Sequence, residues 1–276
     1  MRQMHCHKRS KQCGVTLIEL IIVITITAIV AVGVSVFISR PIEGYVDAAR
    51  RAELTDIADT ALRRVTRDLR AALPNSIRIA ESPPASGVLY LEFLQTSGGG
   101  RYRGEPDSGG GGDILDFAAP DAAFDVIGAM PAFAGGESIV IYNLSASGAV
   151  ANAYAGDNRA AYAGNAGGTI TLSAPKQFPF PSPGRRFQVV QYAVTYSCNP
   201  ATGELRRYWN YGIAAAQATP PATPNTALLA GSVTACGLFY AAGAGARTGA
   251  VTLSLRVERD GEPIQLFQQV HVSNVP

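Results

Sequence analysis

Histidine, tryptophan and cysteine are scarce in this 276-residue chain, which contains three, one and four of them respectively. His271 is the one histidine outside the first fourteen residues, and there is no G-x-S-x-G motif or histidine pair at zinc spacing. We therefore predict that the chain is not an enzyme and holds no cofactor or metal. His271 is interpreted as a packing or surface residue on a strand, and a Ser-His-Asp triad that uses it stays open as the alternative.

Positive charge is not in excess outside the N-terminus. Arg2, Lys8, Arg9 and Lys11 precede every acidic residue, so the rest of the chain is mildly acidic although the formal net charge is +2. No basic stripe or array of stacked aromatic residues follows. These absences exclude nucleic acid as a partner.

The four cysteines are also distributed between the N-terminal segment and the rest of the chain. Cys6 and Cys13 stand in the basic N-terminal segment, and Cys198 and Cys236 are the only two beyond it. A pair in the larger part of a chain is typical of an oxidising compartment, where disulfides persist. We predict a disulfide between Cys198 and Cys236.

Apolar residues are abundant near the N-terminus. Leu20–Ile38 has no charge and no proline, and as a helix it would span about 28 Å, close to the thickness of a bilayer's hydrocarbon core. The cations before it predict a single-pass inner-membrane protein with a cytoplasmic N-terminus and a periplasmic remainder. The run is too long for a cleavable secretory signal, and no small-x-small site follows it. A plain signal anchor is the alternative, but it gives no reason for Glu19.

The residues GVTLIE at positions 14–19 resemble the type IV prepilin signature, in which a glycine, a hydrophobic residue and a glutamate follow a short basic leader. The resemblance implies that a prepilin peptidase cleaves after Gly14 and methylates the new N-terminus at Val15. It also implies that Glu19 pairs with the N-terminal amine of a neighbouring subunit, so that each charge in lipid gains a partner. The chain departs from the family at Val15, commonly phenylalanine, and at Val36, commonly proline.

Four segments are predicted along the chain. They are a leader (1–14), a hydrophobic transmembrane and assembly helix (15–40), an amphipathic helix (41–74) and a β-rich exported domain (75–276). Pro41 and Gly44 predict a kink or break between the two helices, and Pro74-Asn75 ends the second. Apolar residues recur there every three or four positions and predict one buried stripe: Leu54, Ala58, Leu62, Val65, Leu69 and Leu73. Its arginines are interpreted as a solvated face, with a contact surface for a neighbouring pilin as the alternative.

Short β-like runs fill the exported domain. They are GVLYLEFL, GDILDF, ESIVIYNL and GTITLSA, followed by the hairpin RFQVVQYAVTYSC-NPATG-ELRRYWNY and by a last hairpin that turns at Asp260-Gly261. In the first hairpin we expect one buried face, with Thr195 and Ser197 on the other. The predicted fold class is α+β: a long membrane-anchored helix whose amphipathic half packs on an antiparallel β-sheet domain.

Two biased stretches, Ser97–Asp113 and Gly212–Gly231, are interpreted as mobile surface loops because neither fits a phosphate-binding motif. A calcium site formed by Asp107, Asp113 and Asp116 is the alternative for the first of them. Trp209 is interpreted as sheet packing, with a sugar-binding platform as its alternative.

Several further segments resemble one group of type IV minor pilins. RDLRAALPNSIRI, AVTYSC, ELRRYWNYG, LLAGSVTAC and QVHVSNVP are similar to minor pilins of mannose-sensitive haemagglutinin (MSHA) pili, and more distantly to J-type pseudopilins and PilW-like minor pilins. The resemblance implies a subunit that helps initiate or cap a pilus at the cell surface. It implies other minor and major pilins, an inner-membrane assembly platform and, before assembly, membrane lipid as partners. A type II secretion pseudopilin, a tip adhesin and an anchored envelope enzyme are the alternatives.

Overall fold

A computed structural model describes residues 14–148, 150–242 and 247–276. Residues 1–13 of the basic leader, which include Cys6 and Cys13, lie outside the described residues. The chain divides after Arg50 into two compact units, of which the second, Arg51–Pro276, contains all the strands found in the described residues. The fold is α+β with antiparallel sheets, which confirms the predicted class.

The helix α1 spans Leu17–Arg70. Its helical residues include Pro41 and Gly44, so no helix ends at either position and the predicted break is not found. The helix ends four residues before Pro74, because the next residues bond to a strand: the Leu73 N–H donates to the Leu94 carbonyl at 2.8 Å. Pro74 also disfavours a helical backbone at the residue before it, Leu73.

Twelve strands follow the helix in the part of the chain that the structure describes. They are β1 (Arg78–Glu81), β2 (Leu89–Tyr102), β3 (Asp121–Ile127), β4 (Ser138–Ile141), β5 (Arg159–Ala166), β6 (Thr169–Lys176), β7 (Arg186–Asn199), β8 (Glu204–Tyr211), β9 (Thr226–Ala230), β10 (Val233–Ala242), β11 (Thr248–Arg259) and β12 (Glu262–Ser273). Nine of them form one sheet, and β10, β11 and β12 form a second. The two predicted hairpins are β7–β8 and β11–β12, the latter turning at Asp260 and Gly261 with positive φ at both.

The predicted apolar stripe of the helix is buried. Leu54, Ala58, Leu62, Val65 and Leu69 are at most 4% exposed. They share one core with both sheets. Full burial of a leucine or valine side chain stabilises the fold by about 1.5 to 3 kcal/mol, so this stripe is a main source of stability for the second unit. The facing side chains from the sheets are Leu91, Phe93, Val194, Tyr196, Val251, Leu253, Leu255 and Val257.

A buried ion pair links this part of the helix to β8. Asp68 Oδ2 accepts hydrogen bonds from Arg207 Nε at 2.7 Å and from the Tyr196 hydroxyl at 2.8 Å. Arg64 Nε lies 3.2 Å from the other carboxylate oxygen. Burial, together with the negative charge of Asp68, raises the pKa of the Tyr196 hydroxyl, so that it remains a donor. Since removal of one partner would leave the other charge buried alone, the pair favours one register of helix on sheet.

Six strands, β2 to β7, close into a ring. They pair in the order β2-β3-β6-β5-β4-β7, and β7 pairs again with β2. Aromatic side chains fill the ring: the centroid of Phe124 lies 5.6 Å from that of Phe187 and 6.4 Å from that of Tyr102. Because β2 and β7 are 14 residues long, one half of each builds this ring and the other half carries the helix.

The glycine-rich stretch begins inside β2, so its interpretation as a mobile loop is wrong for residues 97–102. Gly99 and Gly100 pair with Gln188 and Phe187 of β7. A Cβ on Gly99 would lie 2.6 Å from the Phe187 carbonyl oxygen, and one on Gly100 would lie 2.7 Å from the Phe187 ring. These glycines allow a close approach of backbone and ring that a side chain would prevent.

Two strand predictions need correction. GDILDF is not a strand; the Asp113 N–H instead donates to a side chain of β3, Asp125 Oδ2, at 3.0 Å. The strand is β3, which starts five residues after Asp116. The second face of β7 is also buried, since Thr195 and Ser197 are 0% and 6% exposed. A third apolar cluster, which includes Ala153 and Tyr154, covers this side of the sheet.

Candidate processing and assembly site

The predicted processing site lies immediately before the helix. Gly14 and Val15 are exposed and non-helical, and a Cβ on Gly14 would have no atom within 4 Å. Thr16 caps the helix, because its Oγ1 accepts from the Glu19 N–H at 3.3 Å and its carbonyl accepts from the Leu20 N–H at 3.1 Å. The Gly14–Val15 peptide bond therefore stands in accessible backbone, as a peptidase requires. Sequence reasoning missed the cap, although the T-x-x-E spacing is the signal for it.

Glu19 lies in the first turn of the helix and is exposed. Among the described residues its carboxylate has neither a hydrogen bond nor an ion pair. The positive end of the helix dipole favours a carboxylate here by about 0.3 to 1 kcal/mol. This stabilisation is much smaller than the free-energy cost of a lone charge in hydrocarbon. The Glu19 site therefore suits a cation that the described residues do not supply.

The helix that follows Glu19 is apolar on every side. Leu17–Ser35 is a candidate membrane span of 19 residues with a mean hydropathy of 2.8, and none of it is buried. Its threonines bond within the helix: Thr25 Oγ1 donates to the Ile21 carbonyl at 3.0 Å, and Thr27 Oγ1 to the Val23 carbonyl at 2.7 Å. The segment fits a membrane anchor.

Comparison with known proteins supports this reading of the N-terminus. Residues 9–35 match the family model described as the prokaryotic N-terminal methylation motif. No curated protein and no solved structure matches the chain. The motif indicates a protein of the type IV pilin or pseudopilin type. It implies processing by a prepilin peptidase and assembly with other pilins.

The predicted cysteine pair is joined in the structure. Cys198 on β7 and Cys236 on β10 form a disulfide with a Cα–Cα distance of 6.4 Å, within the usual range. Cys198 belongs to the core beneath the helix, and Cys236 packs against that core. The bond thus ties the nine-stranded sheet to the three-stranded one.

The candidate calcium ligands do not form a cluster. Among the described residues no group of three or more His, Cys, Asp or Glu side chains could hold a metal ion. Asp107 Oδ1 instead accepts the N–H groups of Gly109 and Gly111 at 2.9 and 2.8 Å. These hydrogen bonds lower the pKa of the Asp107 carboxyl. Asp116 accepts the Ala118 N–H at 2.7 Å, so both aspartates stabilise turns of their own loop.

A polar cluster that sequence reasoning missed lies on the sheet face opposite the helix. Glu92 of β2 is 1% exposed and accepts a hydrogen bond from Arg78 Nε at 3.0 Å. The same guanidinium lies 3.7 Å from the ring centroid of Tyr154 and donates to the Ala214 and Ala215 carbonyls. Burial raises the pKa of the Glu92 carboxyl, and Arg78 only partly offsets the rise. The interpretation of Gly212–Gly231 as a mobile loop is therefore wrong in part: Ala214 and Ala215 are held to the sheet by Arg78, and residues 226–230 form β9.

The two remaining candidate residues, His271 and Trp209, lie on different strands. His271 is exposed on β12. Trp209 lies on β8, packs against the core beneath the helix, and has the Arg207 guanidinium 4.7 Å from its ring centroid. These contacts favour the sheet-packing interpretation of Trp209 over a sugar platform.

Proposed function

We propose that the chain is a minor type IV pilin, similar to MshO of MSHA pili, that helps initiate or cap a filament. The observation that carries the proposal is Glu19: an exposed carboxylate without a partner among the described residues, in the first turn of an apolar helix. Cleavage after Gly14 would create an amine four residues before it. In a filament, the amine of one subunit would meet Glu19 of the next.

The charges explain why this contact favours assembly. Before assembly, a carboxylate and an amine each lie near lipid without an opposite charge. In the filament each gains one, while the apolar faces of Leu17–Ser35 pack on neighbouring helices. The inner-membrane platform and other minor pilins are then the partners of the protein.

A filament role also suits the exported domain. Cys198 and Cys236 are bonded to each other, so neither serves as a nucleophile. His271 is exposed on the outer side of β12. These features support a structural subunit rather than an anchored enzyme. The segments that resemble MSHA minor pilins support a pilus over a secretion pseudopilus.

The test compares Glu19→Ala and Glu19→Asp with wild type in the native host. We expect both variants to be inserted and cleaved after Gly14, because the cleavage site is unchanged. Glu19→Ala leaves the neighbouring amine unpaired, which costs about 3 to 5 kcal/mol or roughly two to three orders of magnitude in assembly. Glu19→Asp keeps the charge on a shorter side chain and should be intermediate. Mass analysis reports processing, and pilus counts with co-purified minor pilins report assembly.

Gly14→Leu is the matched control for processing. It should retain the leader and leave the membrane anchor intact, because a side chain is placed where the peptidase needs bare backbone. Normal piliation with Glu19→Ala, in a strain whose pili require this protein, would contradict the proposed role of Glu19. A leader that is retained in the wild-type protein would contradict the pilin assignment itself.

A further inference from the structure

The strand β9, Thr226–Ala230, ends the nine-stranded sheet with an unpaired edge. Its one partner among the described strands is β8, with regular register from Thr226 to Leu228 and a bulge before Ala230. The strand contains no charge and no proline, the two devices that usually protect an edge. Leu228 is 52% exposed. In the regular part, the backbone N–H and C=O of every second residue point away from β8 and can form hydrogen bonds with another strand.

A basic groove lies beside this edge. It has a volume of about 460 Å³ and is bounded by Leu228 and Leu229 on one side and by the helix on the other. Three arginines of α1 line it: Arg63, Arg64 and Arg67. Arg63 is paired with Asp59, and Arg64 with the buried Asp68. Arg67 is exposed and has no ion pair among the described residues, so the groove carries an excess of positive charge.

We propose that this groove binds an extended acidic segment of another protein, which adds a strand to β9. The alternation of β9 sets the pattern of that segment. Leu229 packs toward the core beneath the helix, whereas Leu228 faces solvent. In an added strand, carboxylates on the helix side would reach Arg67 and Arg63, and apolar residues on the other side would cover Leu228. The segment therefore alternates acidic and apolar residues.

Backbone pairing distinguishes this occupant from an anionic lipid headgroup. A headgroup would use the arginines but leave the N–H and C=O groups of β9 unpaired and Leu228 exposed. An extended peptide satisfies the charges, the edge and the apolar side chain together. The inference concerns the exported unit and does not depend on Glu19 or on processing, so it stands or falls separately from the filament role.

The test uses the detergent-solubilised full chain and a fluorescent Val-Asp-Val-Asp-Val peptide. We expect saturable binding by anisotropy and slower hydrogen exchange at residues 226–228. Arg67→Glu should weaken binding about tenfold or more, since it places a like charge against the peptide. Arg101→Glu is the matched control, because Arg101 is exposed on β2, away from this groove, and should leave affinity unchanged.

Two further probes distinguish an extended peptide from an anionic lipid headgroup. A peptide N-methylated at alternate residues keeps every charge but loses the N–H groups that would pair with β9, and it should not bind. Equal binding of the N-methylated peptide, or equal competition by phosphatidylglycerol vesicles, would show a site that reads charge alone and would overturn the proposal. Absence of binding at about 1 mM peptide, or protection confined to other strands, would overturn it as well.

Discussion

The apolar segment Leu17–Ser35 and the second unit, Arg51–Pro276, differ in where their polar groups find partners. In the apolar segment, Thr25 and Thr27 bond to carbonyls three or four residues back. In the second unit, buried polar groups find distant partners, as Asp68 does with Arg207, 139 residues further along the chain. A helix in lipid must satisfy its groups locally because lipid offers no hydrogen bonds.

The difference teaches where each region obtains its stability. Under the proposed function, the apolar segment depends on lipid and on neighbouring helices, and Glu19 pairs with a charge supplied by another chain. The second unit, Arg51–Pro276, depends on links within one chain that join the helix and the two sheets. Loss of one link should therefore weaken the second unit and leave the apolar segment intact, whereas loss of a local hydroxyl should change neither by much.

The largest loss is expected from the disulfide. Cys198→Ala with Cys236→Ala opens a closure of 38 residues, which the chain-entropy model values at about 4 kcal/mol. Urea unfolding followed by fluorescence of the single tryptophan, Trp209, measures the change. Membrane insertion should be unaffected. An unchanged unfolding midpoint, or free thiols at both Cys198 and Cys236 in the wild-type protein, would contradict this expectation.

The buried Arg78–Glu92 pair should give the next largest effect, and one that depends on pH. Arg78→Ala leaves the buried Glu92 carboxylate without its cation, at a cost of about 3 kcal/mol at pH 7. Burial holds the folded-state pKa of Glu92 above its ordinary value. The folded state therefore binds a proton more readily than the unfolded state, so stability falls as pH rises through that pKa. We expect the loss to be larger at pH 8 than at pH 5.

The control for this variant is Arg78→Ala combined with Glu92→Gln. The amide carries no charge to be left unpaired, so the double variant should recover part of the stability and lose the pH dependence. Urea unfolding at pH 5 and pH 8 tests both. If Arg78→Ala costs the same at the two pH values, its role is limited to holding the carbonyls of Ala214 and Ala215.

The sequence predicts periodic features better than polar partners. The stripe from Leu54 to Leu69 and the β7–β8 hairpin follow from periodicities of 3.6 and 2, and both are found. The ring of β2 to β7 forms because the two long strands, β2 and β7, pair with each other and also with other strands. No local sequence pattern indicates this pairing. Gly99 and Gly100 suggested a loop because glycine is common in loops. They lie in β2 instead, where the close approach of Phe187 leaves no room for a side chain. Tertiary contact overrides local propensity at such sites.

The smallest effect is expected in the apolar segment. Thr25→Val or Thr27→Val removes a hydroxyl whose hydrogen bonds are internal, while the shape of the side chain is nearly kept. The carbonyls that lose this donor remain bonded in the helix, and valine is at least as favourable in lipid. We expect processing and pilus number to stay at the wild-type level, with a change below about 0.5 kcal/mol in assembly. If either variant reduces piliation as strongly as Glu19→Ala, the threonines bond to a neighbouring subunit, and polar contacts between chains then extend beyond the N-terminal end of the helix.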